Sequence, residues 1–522
     1  MESGSKCISY SETKRPLNGS IPASLWNLTR LSILHLNNNH LYGSILEEIG
    51  YLRFLTYLRL NDNLLNGSIP ASLGNLNNLT ILYLHDNHLS GSIPEEIGYL
   101  RSLVKLSLKN NSLDGSIPAA LGNLTNLSFL YLYDNHLSGP IPEEIGYLRF
   151  LTDLRLHDNS LNGSIPAALG NLTNLSLLLL YDNHLSGPIP EEIGYLRFLT
   201  DLQLYDNSLN GSIPASLGNL NLSVLYLDGN HLSGPIPEEI EKTDTGSELD
   251  EESNSEFLND FWKAALMGYG SGLCIGLSII YIMISTRKPI CLARIIVELE
   301  RKIMMGKRKK QRKQRTDLIS YEIGLCIGLY VLSFSSSIPH SCRKDQSTAL
   351  LKFKKTLTLD PSLVTCSSYS YTSSWNKSRD CCSWDGVICD EMTGCVIELN
   401  LSCSGLVGKI DSNSSLFQLS HLQRLDLSSN IFSDSHISPE FGRFSSLTLL
   451  DLSDSYFSGH IPSEISHLSQ LQSLHLSPSF ETILRLTAHD LTLLLQNLTQ
   501  LRELDLTSIN ISSPFLQIFL LI

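Results

Sequence analysis

Residues 79–102 read LTILYLHDNHLSGSIPEEIGYLRS, and the same 24-residue frame, LxxLxLxxNxLxGxIPxxLGxL, recurs from residue 31 to residue 237. Its Asn stands at 39, 63, 87, 111, 135, 159, 183 and 207, then at 230, one residue having been dropped just after Leu220. A strict period of this length marks a solenoid, one supersecondary unit stacked many times. No unit would fold alone. Each LxL, such as Leu58 and Leu60, supplies the inward side chains of one short strand, and only neighbouring turns can cover the rest of its apolar edge. The Asn ladder fits that geometry, because a buried amide satisfies backbone groups of adjoining turns that water does not reach. These Leu and Asn residues build scaffold and carry no chemistry.

Leu at the first, fourth and sixth positions makes this an α/β leucine-rich-repeat solenoid, with parallel strands expected on the concave face and short helical or turn segments on the convex face. The tails GSIPEEIGYL and GPIPEEIGYL place Gly and Pro in a tight turn ahead of the helical segment. The LxGxIPxxLGxL signature resembles the plant extracellular leucine-rich repeat of receptor-like kinases, receptor-like proteins and polygalacturonase inhibitors. Turns that alternate LGNLTNL with EEIGYLRFL resemble the Cf-type disease-resistance receptor-like proteins in particular.

The chain contains its own alignment, since residues 115–162 recur at 163–210 with four differences: Phe129 becomes Leu177, Tyr131 becomes Leu179, Arg155 becomes Gln203 and His157 becomes Tyr205. All four lie between or beside strand leucines. Chance placement there has odds of roughly one in a thousand with the repeat register as the ruler, so the concave face reads as the surface under selection. Its central stripe is Arg59, Tyr83, Ser107, Tyr131, Arg155, Leu179, Gln203 and Tyr226, flanked by Asn61, His85, Lys109, Tyr133, His157, Tyr181 and Tyr205. Tyr and Arg are anchor residues at protein interfaces. Arg59, Tyr83, His85, Lys109, Phe129, Tyr131, Tyr133, Arg155, His157, Tyr181, Gln203, Tyr205 and Tyr226 are therefore the candidate ligand-binding residues. A parallel row of Asp62, Asp86, Asp134, Asp158, Asp182 and Asp206 reads as a solvated edge. His40, His88, His136, His184 and His231 recur at one repeat position and read as structural.

A net charge of -14 argues against nucleic acid as the main partner. Seven of the eleven cysteines fall between residues 342 and 403, which suggests disulfides in one oxidised segment. NxS/T sequons at Asn78, Asn123, Asn126, Asn171, Asn174, Asn221, Asn376, Asn400 and Asn413, among others, point to an extracytoplasmic glycoprotein.

Taken in order, residues 1–16 hold no apolar run and read as an unstructured N terminus without a signal peptide. The solenoid, 17–240, begins in mid-repeat, so its first apolar edge is expected to lack a cap, as in a truncation. Residues 241–263 form an acidic linker too poor in apolar residues to fold. Residues 264–285 carry no charge, and a helix of that length at about 1.5 Å per residue crosses a bilayer's hydrocarbon core. The basic tail at 286–322, with KRKKQRKQR, orients such a single-pass transmembrane helix with the solenoid outside the plasma membrane and the tail in the cytoplasm. Gly268, Gly272 and Gly276 form a doubled GxxxG for helix packing. The stretch 259–286 resembles the membrane segment of the Cf-type proteins, which implies signalling through a receptor-like kinase co-receptor.

A second apolar segment, 323–341, resembles a signal peptide, although such a segment belongs at an N terminus. Residues 342–398, with CCSWDGVICDEMTGCVIELNLS, resemble the Cys-rich N-terminal cap of plant leucine-rich-repeat proteins. The resemblance implies Cys342 paired with Cys381 and Cys382 with Cys389, leaving Cys366, Cys395 and Cys403 unassigned. No zinc spacing is present. Repeats resume at 399–522 as a second, truncated array whose end, FLQIFLLI, is expected to be exposed. The order of parts reads as two receptor-like proteins joined, 17–316 from the end of one and 323–522 from the start of another.

The chain contains no kinase signature, no nucleophile elbow and no metal cluster, and no cofactor is called for. The sequence points to a non-enzymatic receptor-like protein of plant immunity that binds a protein or peptide on the concave face. The alternatives are a polygalacturonase-inhibitor-like binding module and a non-functional fused remnant.

Overall fold

The computed structural model describes residues 19–241, 341–360 and 371–512. Within each turn the middle Leu of a three-residue strand, such as Leu58 in Tyr57–Arg59 or Leu82 in Ile81–Tyr83, points inward and is fully buried. In most turns the residues on either side of it remain partly exposed on the concave face, while Ser107, Asp153 and Leu179 are buried. Strands pair in parallel at one repeat per step, Leu58 opposite Leu82 and Leu82 opposite Leu106. On the convex side a Pro in extended conformation leads into a five-residue 3-10 helix, as Pro94 does ahead of Glu95–Tyr99.

The LGxL glycine allows these helices to stack. A Cβ on Gly146 would collide with the carbonyl oxygen of Ala168 in the next turn. At the foot of each strand the residue before the ladder Asn adopts a left-handed backbone: Asp62, Asp86, Asp134, Asp158, Asp182 and Asp206 have φ between 48° and 59°. Asp and Asn tolerate that region better than other non-glycine residues. The Asp row therefore has a backbone cause as well as a solvated one.

The ladder asparagines bond within their own turn and to the turn before it. Asn183 Nδ2 donates to the carbonyls of Leu156, Leu180 and Tyr181 at 3.1 Å each, while its Oδ1 accepts from Leu161 N at 2.9 Å. Where Ser455 replaces the Asn, its hydroxyl donates to Leu427 O at 2.6 Å.

The second array does not stand apart. One fifteen-stranded sheet runs from Val224–Tyr226 back through the first array to Ile33–His35, continues into Glu503–Asp505, and ends at Val396–Asn400 and Val387–Cys389. Leu34 lies opposite Leu504, and Leu504 opposite Leu474. The expectation of an uncapped first edge is overturned, while the end FLQIFLLI, residues 515–522, lies outside the described residues. The first edge of residues 19–41 is covered by residues 488–511, and Leu25, Trp26, Leu34, Leu504 and Ile511 are all buried. The physical reason is that every turn of such a solenoid presents the same edge, so residues 488–511 cover residues 19–41 as one turn covers the next. In space the cap comes first, then residues 399–512, then 19–241. The two arrays therefore belong to one compact unit.

In the cap, Cys342 is bonded to Cys381 and Cys382 to Cys389, and Cys395 is a buried free thiol. Trp375 and Trp384 stack at 5.5 Å. The helix Lys344–Lys355 buries Ala349, Leu350 and Phe353. The apolar runs 264–285 and 323–338, Gly268, Gly272, Gly276, the acidic linker and the basic tail lie outside the described residues. Among the described residues no helix is long and apolar enough to cross a membrane.

Candidate functional site

The repeat register sets one side chain per turn on each concave row, at the spacing of neighbouring strands, about 4.8 Å. That spacing is close to the thickness of stacked rings. Tyr133, His157, Tyr181 and Tyr205 occupy the same row in four successive turns and stack face to face, with centroids 4.2, 4.2 and 4.4 Å apart and planes within 20° of parallel. Tyr226, from the neighbouring central stripe, meets Tyr205 edge-on at 6.2 Å. Because the ring faces are used on one another, the stack presents ring edges and hydroxyls to a ligand.

Beside the stack, Asp153 holds a second group together. The residue is buried, only 8% exposed. It accepts from Tyr131 Oη at 2.7 Å, from Arg155 Nε at 3.0 Å and from a terminal guanidinium nitrogen of Arg155 at 2.9 Å, while the Arg155 guanidinium lies over the Tyr131 ring at 4.8 Å. Burial and the Asp153 hydrogen bond push the Tyr131 phenol above its usual range, and the same carboxylate raises Arg155. Phe129 meets Tyr131 edge-on at 6.1 Å and carries Lys105 over its ring at 4.8 Å.

In the next copy the equivalents of Tyr131 and Arg155 are Leu179 and Gln203, and Gln203 Nε2 donates to Asp201 at 3.0 Å. The substitutions that mark the copies are thus partners: the phenol and the guanidinium were exchanged as a pair around a retained Asp. Asp153 was missed from sequence because it is identical in both copies. Its signal was the two changes flanking it.

Burial lowers the His157 pKa below its ordinary value against the pull of Asp158, whose carboxylate contacts Nδ1 at 2.7 Å. His85 is lowered in the same way by burial, with Asp86 opposing. Burial works against the charge of Lys109, yet Tyr133 and Asp86 raise its pKa, and its ammonium sits 3.2 Å from Asp86 and 5.5 Å over the Tyr133 ring. Arg59 lies over Tyr83 at 5.5 Å, and Tyr83 meets His85 edge-on at 5.3 Å.

The predicted residues therefore fall into two neighbouring groups, a basic and aromatic one from Arg59 to Arg155 and a stacked aromatic one from Tyr133 to Tyr226. Asp62, His85 and Asp86 also converge, their ligand-type atoms within 4.8 Å of one another. Bonds to Asn61, Asn110 and Lys109 account for those carboxylates without an ion. Of the sequon residues singled out, Asn78, Asn123, Asn126, Asn171, Asn174, Asn221, Asn376 and Asn413 are exposed and Asn400 is half-buried. His40, His88, His136, His184 and His231 are exposed, away from both groups.

The leucine-rich repeat region model matches residues 12–137 and 110–228, the leucine rich repeat N-terminal domain residues 343–390, and the leucine rich repeat residues 221–243 and 446–468. The chain is 56% identical over 192 residues to receptor-like protein Cf-9 of Solanum pimpinellifolium, covering 35% of this chain and 22% of that protein. It is 44% identical over 194 residues to receptor-like protein 6 of Arabidopsis thaliana, covering 35% and 20%. It thus spans about a fifth of the length of the relatives it matches.

Among solved structures, the plant peptide hormone receptor RGFR1 in complex with RGF2 is similar at 24% identity and a TM-score of 0.42, over 95% of this chain and 62% of that one. A plant ice-binding protein is similar at 31% identity and a TM-score of 0.37, over 42% and 71%.

Proposed function

We propose, for a chain whose homologues over about a third of its length are Cf-9 and related receptor-like proteins, a cell-surface receptor-like protein of plant defence. It recognises a protein or peptide on the concave face between Arg59 and Tyr226 and passes the signal to a partner receptor kinase. The observation that carries recognition is the continuous ring stack Tyr133, His157, Tyr181 and Tyr205 beside the Asp153-centred group. Rings held by one another and by Asp158 lose little rotamer freedom on binding, so their contact area converts efficiently into affinity. Recognition rather than turnover suits a face on which His157 already contacts Asp158 and is packed between two tyrosines. The kinase partner rests on the resemblance of the repeats and membrane segment to the Cf-type proteins.

The test is selection of binders from a displayed random-peptide library on the immobilised full chain, followed by variants. Tyr181→Ala and Tyr205→Ala should each weaken the selected peptides about tenfold or more, as centrally packed interface tyrosines do. The convex substitutions Tyr147→Ala and Phe150→Ala should change affinity less than about twofold. Binders that depend on Tyr147 and Phe150 and ignore Tyr181 and Tyr205 would overturn the assignment.

A further inference from the structure

The contact between the arms is built like an interior turn rather than like two surfaces laid together. Ser32 N donates to Arg502 O at 2.7 Å and Ile33 N to the same oxygen at 3.1 Å, and one turn on Thr56 N and Tyr57 N donate to Ser32 O at 2.8 and 3.2 Å. Leu506 N returns a bond to His35 O at 2.9 Å, and Ser508 N one to Asn37 O at 3.0 Å. The Asn ladder crosses it too: Asn39 Nδ2 donates to Leu506 O at 2.9 Å. Thr507 Oγ1 donates to Asn37 Oδ1 at 3.1 Å, and Arg30 reaches Gln500 at 2.6 Å. Among the described residues, Gly19–Ser20 pairs with Leu41–Ser44 and not with Asn510–Ser512.

We propose that this joint is an autonomous interface: the arms hold one another without the chain that connects them, and both therefore occupy one compartment. A cut between Glu241 and Ser341 leaves a single two-chain solenoid, cap arm first. The connection does not oppose the arrangement. The sheet is about 70 Å from end to end at ~4.8 Å per strand, and the 99 residues between Glu241 and Ser341 reach about 330 Å when extended.

Co-location also decides topology. With both arms on one side of a membrane, the chain between them crosses an even number of times, so the apolar runs 264–285 and 323–334 cross together or neither does. A single pass that leaves the cap arm in the cytoplasm is incompatible with the joint.

The experiment uses the full chain with a specific protease site inserted between residues 286 and 322 and a different tag at each end. His35 and Asp505 are paired across the joint with their side chains 3.4 Å apart, and paired strands lie within the Cα separation a disulfide needs. The His35→Cys/Asp505→Cys chain, cut with the protease, should run as one linked species without reductant and as two with it. Either single Cys variant should separate in both. Ile33→Cys/Glu503→Cys, paired in the same register, repeats the test should the first pair fold poorly.

Without any new Cys, the two cut fragments should co-elute in native size exclusion. Both should also shift on glycosidase treatment, the first through sites such as Asn78 and Asn123 and the second through Asn376 and Asn413. Separation of the native fragments, an unglycosylated cap arm beside a glycosylated first arm, or cross-links found only between two full chains would overturn the proposal.

Discussion

Replacing Asn183 by Ala isolates what one rung of the ladder contributes. The amide Oδ1 is the acceptor for Leu161 N, and its Nδ2 serves the carbonyls of Leu156, Leu180 and Tyr181. Those carbonyls keep other donors: Asn159 Nδ2 still reaches Leu156, Asn207 Nδ2 still reaches Leu180, and Asp158 N still reaches Tyr181. Leu161 is fully buried, and its N–H loses the amide that accepts from it. A buried donor left unsatisfied costs about 1–3 kcal/mol, and each of the three weakened neutral bonds roughly 0.5 kcal/mol, so Asn183→Ala should destabilise by about 2.5–4.5 kcal/mol.

Asn183→Ser should cost about 1 kcal/mol less, because Ser455 shows that a hydroxyl at this position still donates to the carbonyl of the preceding turn. Guanidinium unfolding followed by circular dichroism measures both: the midpoint falls in the order parent, Ser, Ala, with the slope unchanged. An Ala variant within about 0.5 kcal/mol of the parent would refute the reasoning that the ladder carries backbone satisfaction.

Tyr131→Leu and Arg155→Gln reproduce the pair present in the following copy as Leu179 and Gln203, and both parent side chains bond Asp153. The double variant should be more stable than the sum of the single effects by about 1 kcal/mol, measured by denaturation of the four proteins; strict additivity would show that the pair is uncoupled. His157→Tyr, the residue found at 205, should flatten the pH dependence of stability. Burial holds the folded pKa of His157 below the ordinary 6.5, so the unfolded chain binds the proton more readily and stability present above that value is lost as pH falls through the folded pKa. Comparing unfolding midpoints at pH 7.5 and about pH 5 for parent and variant reads the difference, and an equal loss in both would contradict the assignment.

The scaffold was legible because its cause is local and repeated. Leu at 58, 82 and 106 and Asn at 63, 87 and 111 state the period, and the inward residues are those left without exposure. The concave row was legible through the difference between two near-identical copies, although its stacking was not, since ring orientation depends on strand spacing rather than on residue type. Asp153 was hidden because a retained residue leaves no trace in an internal alignment, and only its partners Tyr131 and Arg155 varied. In sequence the Asp row reads as a solvated edge, while the left-handed φ of Asp158 and Asp182 shows a backbone demand as well.

The joint was the least legible feature. Leu504 and Leu34 are 470 positions apart, and each end, taken alone, reads as an unfinished repeat. Nothing in either segment names the other, because complementarity here is the generic fit of one turn to the next.

Amide hydrogen exchange on the intact chain tests the central claim, that the two arrays form one continuous sheet. Ser32 N, Leu506 N and Ser508 N donate across the joint, as Thr80 N and Leu84 N do between interior turns of the first array. If the sheet is continuous, the peptides covering residues 32–36 and 504–508 exchange as slowly as those covering 80–84, opening only with the surrounding solenoid. Exchange at 32–36 and 504–508 that is orders of magnitude faster than at 80–84, as at two free sheet edges, would contradict it.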